Sequence, residues 1–143
     1  MELDVALRLP RDSETVAVVR SFSADGLRRL GVTDQCVDDI RLALSEAVTN
    51  VLDHATTDDD YEVRLVVRGR LCVMTVVDCG RGFDADALAS SMPDPSSARG
   101  RGVAIMRAVL DGVRFESHAE RGTIAHLTKH LELVPGSPLD RLR

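Results

Sequence analysis

Glu46 and Asn50 stand four residues apart in a stretch whose apolar residues recur at helical spacing, so their side chains stack on one face of a helix. A carboxylate there can take a proton from an attacking hydroxyl or water. An amide oxygen one turn on can be the protein's share of a Mg²⁺ shell, because Mg²⁺ keeps several waters and draws other oxygens from phosphates. Read alone, the pair also describes a solvated helix face. Asp78 closes a β-rich run and is followed by Cys79-Gly80-Arg81-Gly82-Phe83. An ionised Asp only accepts hydrogen bonds, which suits the exocyclic amine of adenine and repels the carbonyl oxygen of guanine. Gly80 and Gly82 let backbone pass close to a flat base; the same residues also make a plain tight turn.

Two further segments complete the set. Ser97-Ala98-Arg99-Gly100-Arg101-Gly102 runs into a helix, whose leading amides form an anion site, with Gly100 and Gly102 permitting close approach. Arg99 and Arg101 can add charge-assisted contacts to a phosphate. An ordinary helix start has the same look. A dinucleotide-binding fingerprint does not fit, since its third glycine position holds Ile105 and no predicted strand leads in. Gly122-Thr123 opens a strand; the Thr123 hydroxyl can support a base or the Asp78 carboxylate, and the glycine also serves a hairpin.

These residues need elements to hold them. Leu3, Val5, Leu7 and Leu9 alternate with polar or small residues, a half-buried strand stopped by Pro10. Asp12 or Ser13 can cap a helix to about Leu30, stopped by Gly31. Thr33 can cap a second, running to about Ala55 with Ile40, Leu44, Ala47, Val48, Val51 and Ala55 on its core face. Tyr61 to Val67 and Leu71 to Val77 are strands joined at Arg68-Gly69-Arg70. Ser90 to Arg99 reads as a flexible connection. Val103 to Leu110 is a helix ended by Gly112, and Val113 to His118 with Thr123 to Leu131 forms a closing hairpin. Residues 1–133 thus make one domain, and 134–143 read as a frayed, disordered tail. Hairpin strands with helices on one face give an α+β fold, a two-layer α/β sandwich.

Composition narrows the function. The chain has 143 residues, enough for one core, and a net charge of −5, which argues against direct nucleic-acid binding. Lys129 is the only lysine, so no Gly-Lys-Ser/Thr phosphate loop exists, which leaves arginines and backbone amides as candidate phosphate partners. Cys36, Cys72 and Cys79 lack paired metal-ligand spacing and read as small buried hydrophobes in a reducing cytosol. His54, His118, His126 and His130 form no metal pattern. No apolar run reaches membrane-spanning length, and the acidic start Met-Glu-Leu-Asp does not suit a signal peptide, so no membrane role and a cytoplasmic location are expected.

Ala43-Leu44-Ser45-Glu46-Ala47-Val48-Thr49-Asn50 and the residues to Ala55 resemble the N box of the GHKL (Bergerat-fold) ATPase superfamily. The closer likeness is to bacterial anti-sigma-factor serine/threonine kinases. Val77 to Asp84 resembles their adenine-contacting box, Arg99 to Met106 the glycine box after the nucleotide lid, and Gly122-Thr123 the last box. The likeness covers residues 3 to 131, with four motifs in family order. It implies a Bergerat sandwich binding ATP with Mg²⁺. Glu46 would be the general base, Asn50 the Mg²⁺ ligand and Asp78 the adenine reader, with Gly80, Gly82, Gly100, Gly102 and Thr123 shaping the pocket. It also implies partners: a sigma factor that is held silent, a small anti-anti-sigma protein phosphorylated on Ser or Thr, and a second copy of the chain in a homodimer. The alternative expectation is a binding regulator whose nucleotide sets the shape of a docking surface without phosphotransfer.

Overall fold

Alternation at every second residue turns five segments into one sheet with a buried and an open face. The computed structural model describes residues 2–53, 60–78, 98–118 and 122–141, with backbone alone at 98–100, 117–118 and 122. β1 (Glu2–Leu9) leads into α1 (Thr15–Leu30) and α2 (Asp34–Asp53). Then come β2 (Tyr61–Arg68), β3 (Leu71–Asp78), α3 (Ala98–Val109), β4 (Gly112–His118), β5 (Gly122–His130) and a short α4 (Pro138–Arg141). The strands lie in the order β1-β2-β3-β5-β4, each pair antiparallel. Gly69, at φ +58°, turns β2 into β3 as hairpin geometry requires.

Residues directly opposite share a face, so the register writes the core. Val5, Leu65, Met74 and Leu127 stand in one cross-strand row. Over this face α2 lays Val37, Ile40, Leu44, Val48 and Val51, all buried, with α1 and α3 packed on either side of it. Val19 of α1 closes on Leu44, Val63 and Leu65. The expected α+β two-layer sandwich is the fold that forms.

Four local expectations need correction. The first helix begins at Thr15, because Asp12 is spent on the turn before it: its carboxylate accepts from the Glu14 amide at 2.9 Å and its carbonyl from the Thr15 amide at 2.9 Å. The helix expected from Val103 begins at Ala98. Gly112, expected to stop that helix, instead opens β4 opposite Thr128, where a Cβ would meet the Thr128 Oγ1 at 2.4 Å. The tail expected to fray docks as far as Arg141. Val32 bridges Leu133, the Val134 amide donates to the Gly31 carbonyl at 2.7 Å, and Leu139 is 1% exposed. Arg70 in the β2–β3 turn pairs with Asp140 at 2.9 Å. Burying one Leu side chain contributes about 1.5–3 kcal/mol, which adds to these backbone and ion-pair contacts in holding the segment. His54 and Ala55, expected to end α2, lie outside the described residues.

Candidate functional site

Strand parity decides where the polar side chains go. On β3 the inward positions are Cys72, Met74, Val76 and Asp78, so a carboxylate ends an apolar row and is 1% exposed. On β5 the inward row is Thr123, Ala125 and Leu127, and Thr123, 2% exposed, lies opposite Asp78. The two residues expected to read and support a base are therefore register partners, buried at one end of the sheet.

Helix α2 supplies the second group. Its buried face includes Asn50, 5% exposed, while Glu46 is half-buried one turn earlier. Asn50 is not among the apolar positions of the core face; α3, packed against α2, covers it. Gly102 sits at the contact. A Cβ built there would lie 3.0 Å from Glu46 Oε2 and 3.5 Å from Asn50 Oδ1. The close approach explains why a helix begins across Arg-Gly-Arg-Gly, a sequence with poor helix propensity. Asn50 Nδ2 has no hydrogen-bond partner among the described residues. A buried amide with an orphaned donor is usually awaiting a ligand or water. Asn50 and Glu46 side by side, both oxygen donors, fit a hard divalent cation that keeps most of its own waters.

Sequence reasoning missed Arg11, which links the two groups. Its side chain, 7% exposed, reaches the Asp78 carboxylate with one prong of the guanidinium and donates to the Val51 carbonyl at 3.1 Å with the other. Val51 follows Asn50 on α2. The structure thus brings Glu46, Asn50 and Gly102 together, and Asp78, Thr123 and Arg11 together, with Arg11 also donating to the carbonyl of Val51, the residue after Asn50. Only the Pro10-Arg11-Asp12 string pointed here, and it reads as a turn. Gly80 and Gly82 lie outside the described residues; Gly100 and Arg99 lie in the first turn of α3, and Arg101 is exposed just beyond them.

Elsewhere the two buried cysteines are quiet. Burial pushes the Cys36 thiol up and the Cys72 thiol up to about 12, so both remain protonated small hydrophobes at neutral pH. The shallow depression lined by Arg64, Val66, Arg68, Leu71, Val73 and Thr75 is on the open face of the sheet, opposite in parity to Asp78. It takes no part in this site. Among the described residues no helix is long and apolar enough to cross a membrane.

Comparison with known proteins agrees with the geometry. Residues 9–129 match the model of the histidine kinase-like ATPase domain. The chain is 29% identical over 138 residues to the serine-protein kinase RsbW of Bacillus velezensis, covering 89% of this chain and 85% of the relative. It is 28% identical over 138 residues to the protein of that name from Bacillus subtilis, with the same coverage. The Halalkalibacterium halodurans protein is 29% identical over 144 residues, covering 90% of this chain and 83% of its own. Among solved structures, that of the RsbU and RsbW domains of Rv1364c from Mycobacterium tuberculosis superposes with a TM-score of 0.71 at 22% identity, over 90% of this chain and 32% of that one.

Proposed function

The chain belongs to the histidine kinase-like ATPase domain family, and from that premise we propose that it is a cytoplasmic serine/threonine kinase that also holds a sigma factor in an inactive complex. The observation that carries the reading is the convergence of Glu46 Oε2 and Asn50 Oδ1 on Gly102, within 3.0 and 3.5 Å of where a Cβ would stand. A glycine at that point leaves room for phosphate oxygens between the two helices. Relatives named serine-protein kinase at 27–29% identity support the kinase chemistry.

In this reading Asp78, backed by Thr123, accepts from the adenine amine, with Gly80 and Gly82 beside the base. The first turn of α3, with Gly100, Gly102, Arg99 and Arg101, faces the phosphates. Asn50 would hold Mg²⁺, which would supply charge neutralisation on the phosphate chain. Glu46 takes the proton from the Ser or Thr hydroxyl of a small anti-anti-sigma protein. That oxygen bonds to the γ-phosphorus, the bond from phosphorus to the β–γ bridging oxygen breaks, and ADP leaves with that electron pair. Phosphorylation releases the partner, and a homodimer presents the docking surface.

Purified protein with Mg-ATP and its captured partners provides the test. Glu46→Ala should keep ATP affinity within about threefold while phosphotransfer falls by roughly 10²–10⁴-fold. A variant that phosphorylates its partner at the normal rate removes Glu46 as the base. A native protein that binds nucleotide and partners but transfers no phosphate is a binding regulator instead.

A further inference from the structure

We infer that Arg11 is a positioning residue that sets base selectivity by fixing the Asp78 carboxylate; this rests on the adenine-nucleotide reading above. Arg11 is not a surface arginine that drifted inward. Its backbone lies in a turn held by the Asp12 amide on the Pro10 carbonyl at 2.8 Å and the Thr15 amide on the Asp12 carbonyl at 2.9 Å. On either side of this turn are β1 and α1, both packed into the core. From that anchorage the side chain spans to two elements at once, the Val51 carbonyl on α2 at 3.1 Å and the Asp78 carboxylate at the end of β3. Both charged side chains are shut away from water, at 7% and 1% exposure.

The guanidinium is a rigid planar fork, so two acceptors at two prongs fix its plane. The Asp78 carboxylate accepts from one prong of that fixed plane, which restricts how it can turn. A buried carboxylate also needs a cation nearby to offset the loss of hydration. Reading an exocyclic amine depends on the carboxylate accepting at one angle, because a site built around a buried polar pair discriminates by geometry. Arg11 meets both needs from outside the nucleotide boxes. It contacts the reader rather than the reacting atoms, so its effect is on which base is preferred.

The test compares affinity for ATP with that for purine riboside triphosphate, the same nucleotide without the exocyclic amine, in native protein, Arg11→Gln and Arg11→Lys. Native protein should favour ATP by about tenfold or more, the worth of one hydrogen bond to a charged acceptor. Arg11→Gln should reduce that ratio at least about fivefold by weakening ATP while leaving the analogue nearly unchanged. Arg11→Lys, which keeps the charge but not the fork, should fall between; it decides the matter if Arg11→Gln proves unfolded by circular dichroism. A purely structural role would weaken both nucleotides equally, and an unchanged ratio in a folded variant overturns the inference. Native protein that binds neither nucleotide, or fails to distinguish them, overturns the adenine reading and this inference with it. A native preference that survives both substitutions overturns the Arg11 assignment alone.

Discussion

The two ends of the layer between α2 and the sheet are built on the same parity and end differently. At the β2–β3 turn the inward row begins with Cys72, and Cys36 of α2 lies over that end with its sulfur 3.9 Å from the His130 carbonyl. There the C-terminal segment adds a cover: Leu131 donates its amide to Arg70, and Leu139 is buried. Lys129 ties the layers together, donating to the Val109 carbonyl at 2.6 Å and pairing with Asp39 at 3.3 Å. Six residues along β3 the same row ends on Asp78, facing Thr123 and Arg11, with Asn50 on the helix beside it. One end closes the row with Cys72 under Cys36 and Leu139; the other ends it on a carboxylate, with an arginine and an amide buried nearby. The second end is where a ligand would be received, since buried polar groups without such a use are rarely kept.

The largest effect should come from breaking the charge pair at the polar end. Asp78→Leu leaves Arg11 buried without its carboxylate and should destabilise the fold by about 3–5 kcal/mol in urea titration. Adding Arg11→Met should recover most of that loss, because a well-packed apolar pair replaces an ion pair at little net cost. Such a double variant would fold well and bind no adenine nucleotide. If Asp78→Leu alone is as stable as the native protein, the two ends do not differ in the way described.

At the sealed end the expected pattern reverses. Leu139→Ala removes a fully buried side chain and should cost about 2–4 kcal/mol, with nucleotide affinity unchanged in the molecules that remain folded. Loss of nucleotide affinity without loss of stability would join the C-terminal segment to the site and erase the distinction.

What could be read from the residues in order was mostly short-range. Alternation from Leu3 to Leu9, the β-rich runs from Tyr61 to Val67 and from Leu71 to Val77, the helical spacing from Ile40 to Val51 and the Gly69 turn are local physics, and each element formed where expected. Arg11 was illegible because its partner lies 67 positions away and only the fold brings them together. The start of α3 was illegible for a related reason. Each glycine in a helix costs about 1 kcal/mol relative to alanine, so Arg99-Gly100-Arg101-Gly102 argues locally against helix. Packing against Glu46 and Asn50 overrides that preference. Val134-Pro135-Gly136-Ser137-Pro138 reads as a string of breakers, and its anchors, the Gly31 carbonyl and Arg70, are far off in the chain. Gly31 is shaped for them: at φ +96°, with Ser137 against it, it leaves no room for a Cβ.

Gly102 offers the smallest effect on stability and the sharpest test of the comparison. Its backbone is helical, so Gly102→Ala should gain roughly 0.5–1 kcal/mol from helix propensity. Against this, the new methyl would press on Glu46 Oε2 at 3.0 Å, the far end of a side chain that can shift by a few tenths of an ångström. The two effects nearly offset, and the melting temperature should move by only a few degrees. Chemistry has less tolerance, because a base displaced from its reacting hydroxyl loses rate steeply with distance. Phosphotransfer should fall by about tenfold or more, with a smaller loss in nucleotide affinity. At the sealed end, Gly112→Ala also crowds a side chain, Thr128 Oγ1 at 2.4 Å, and should lower stability while sparing activity per folded molecule. The pair of glycines thus separates the two regions by readout: one substitution moves activity and leaves stability, the other does the reverse. Should Gly102→Ala prove more stable and fully active, the glycine is only a helix residue, and the polar end has no space reserved beside Glu46 and Asn50.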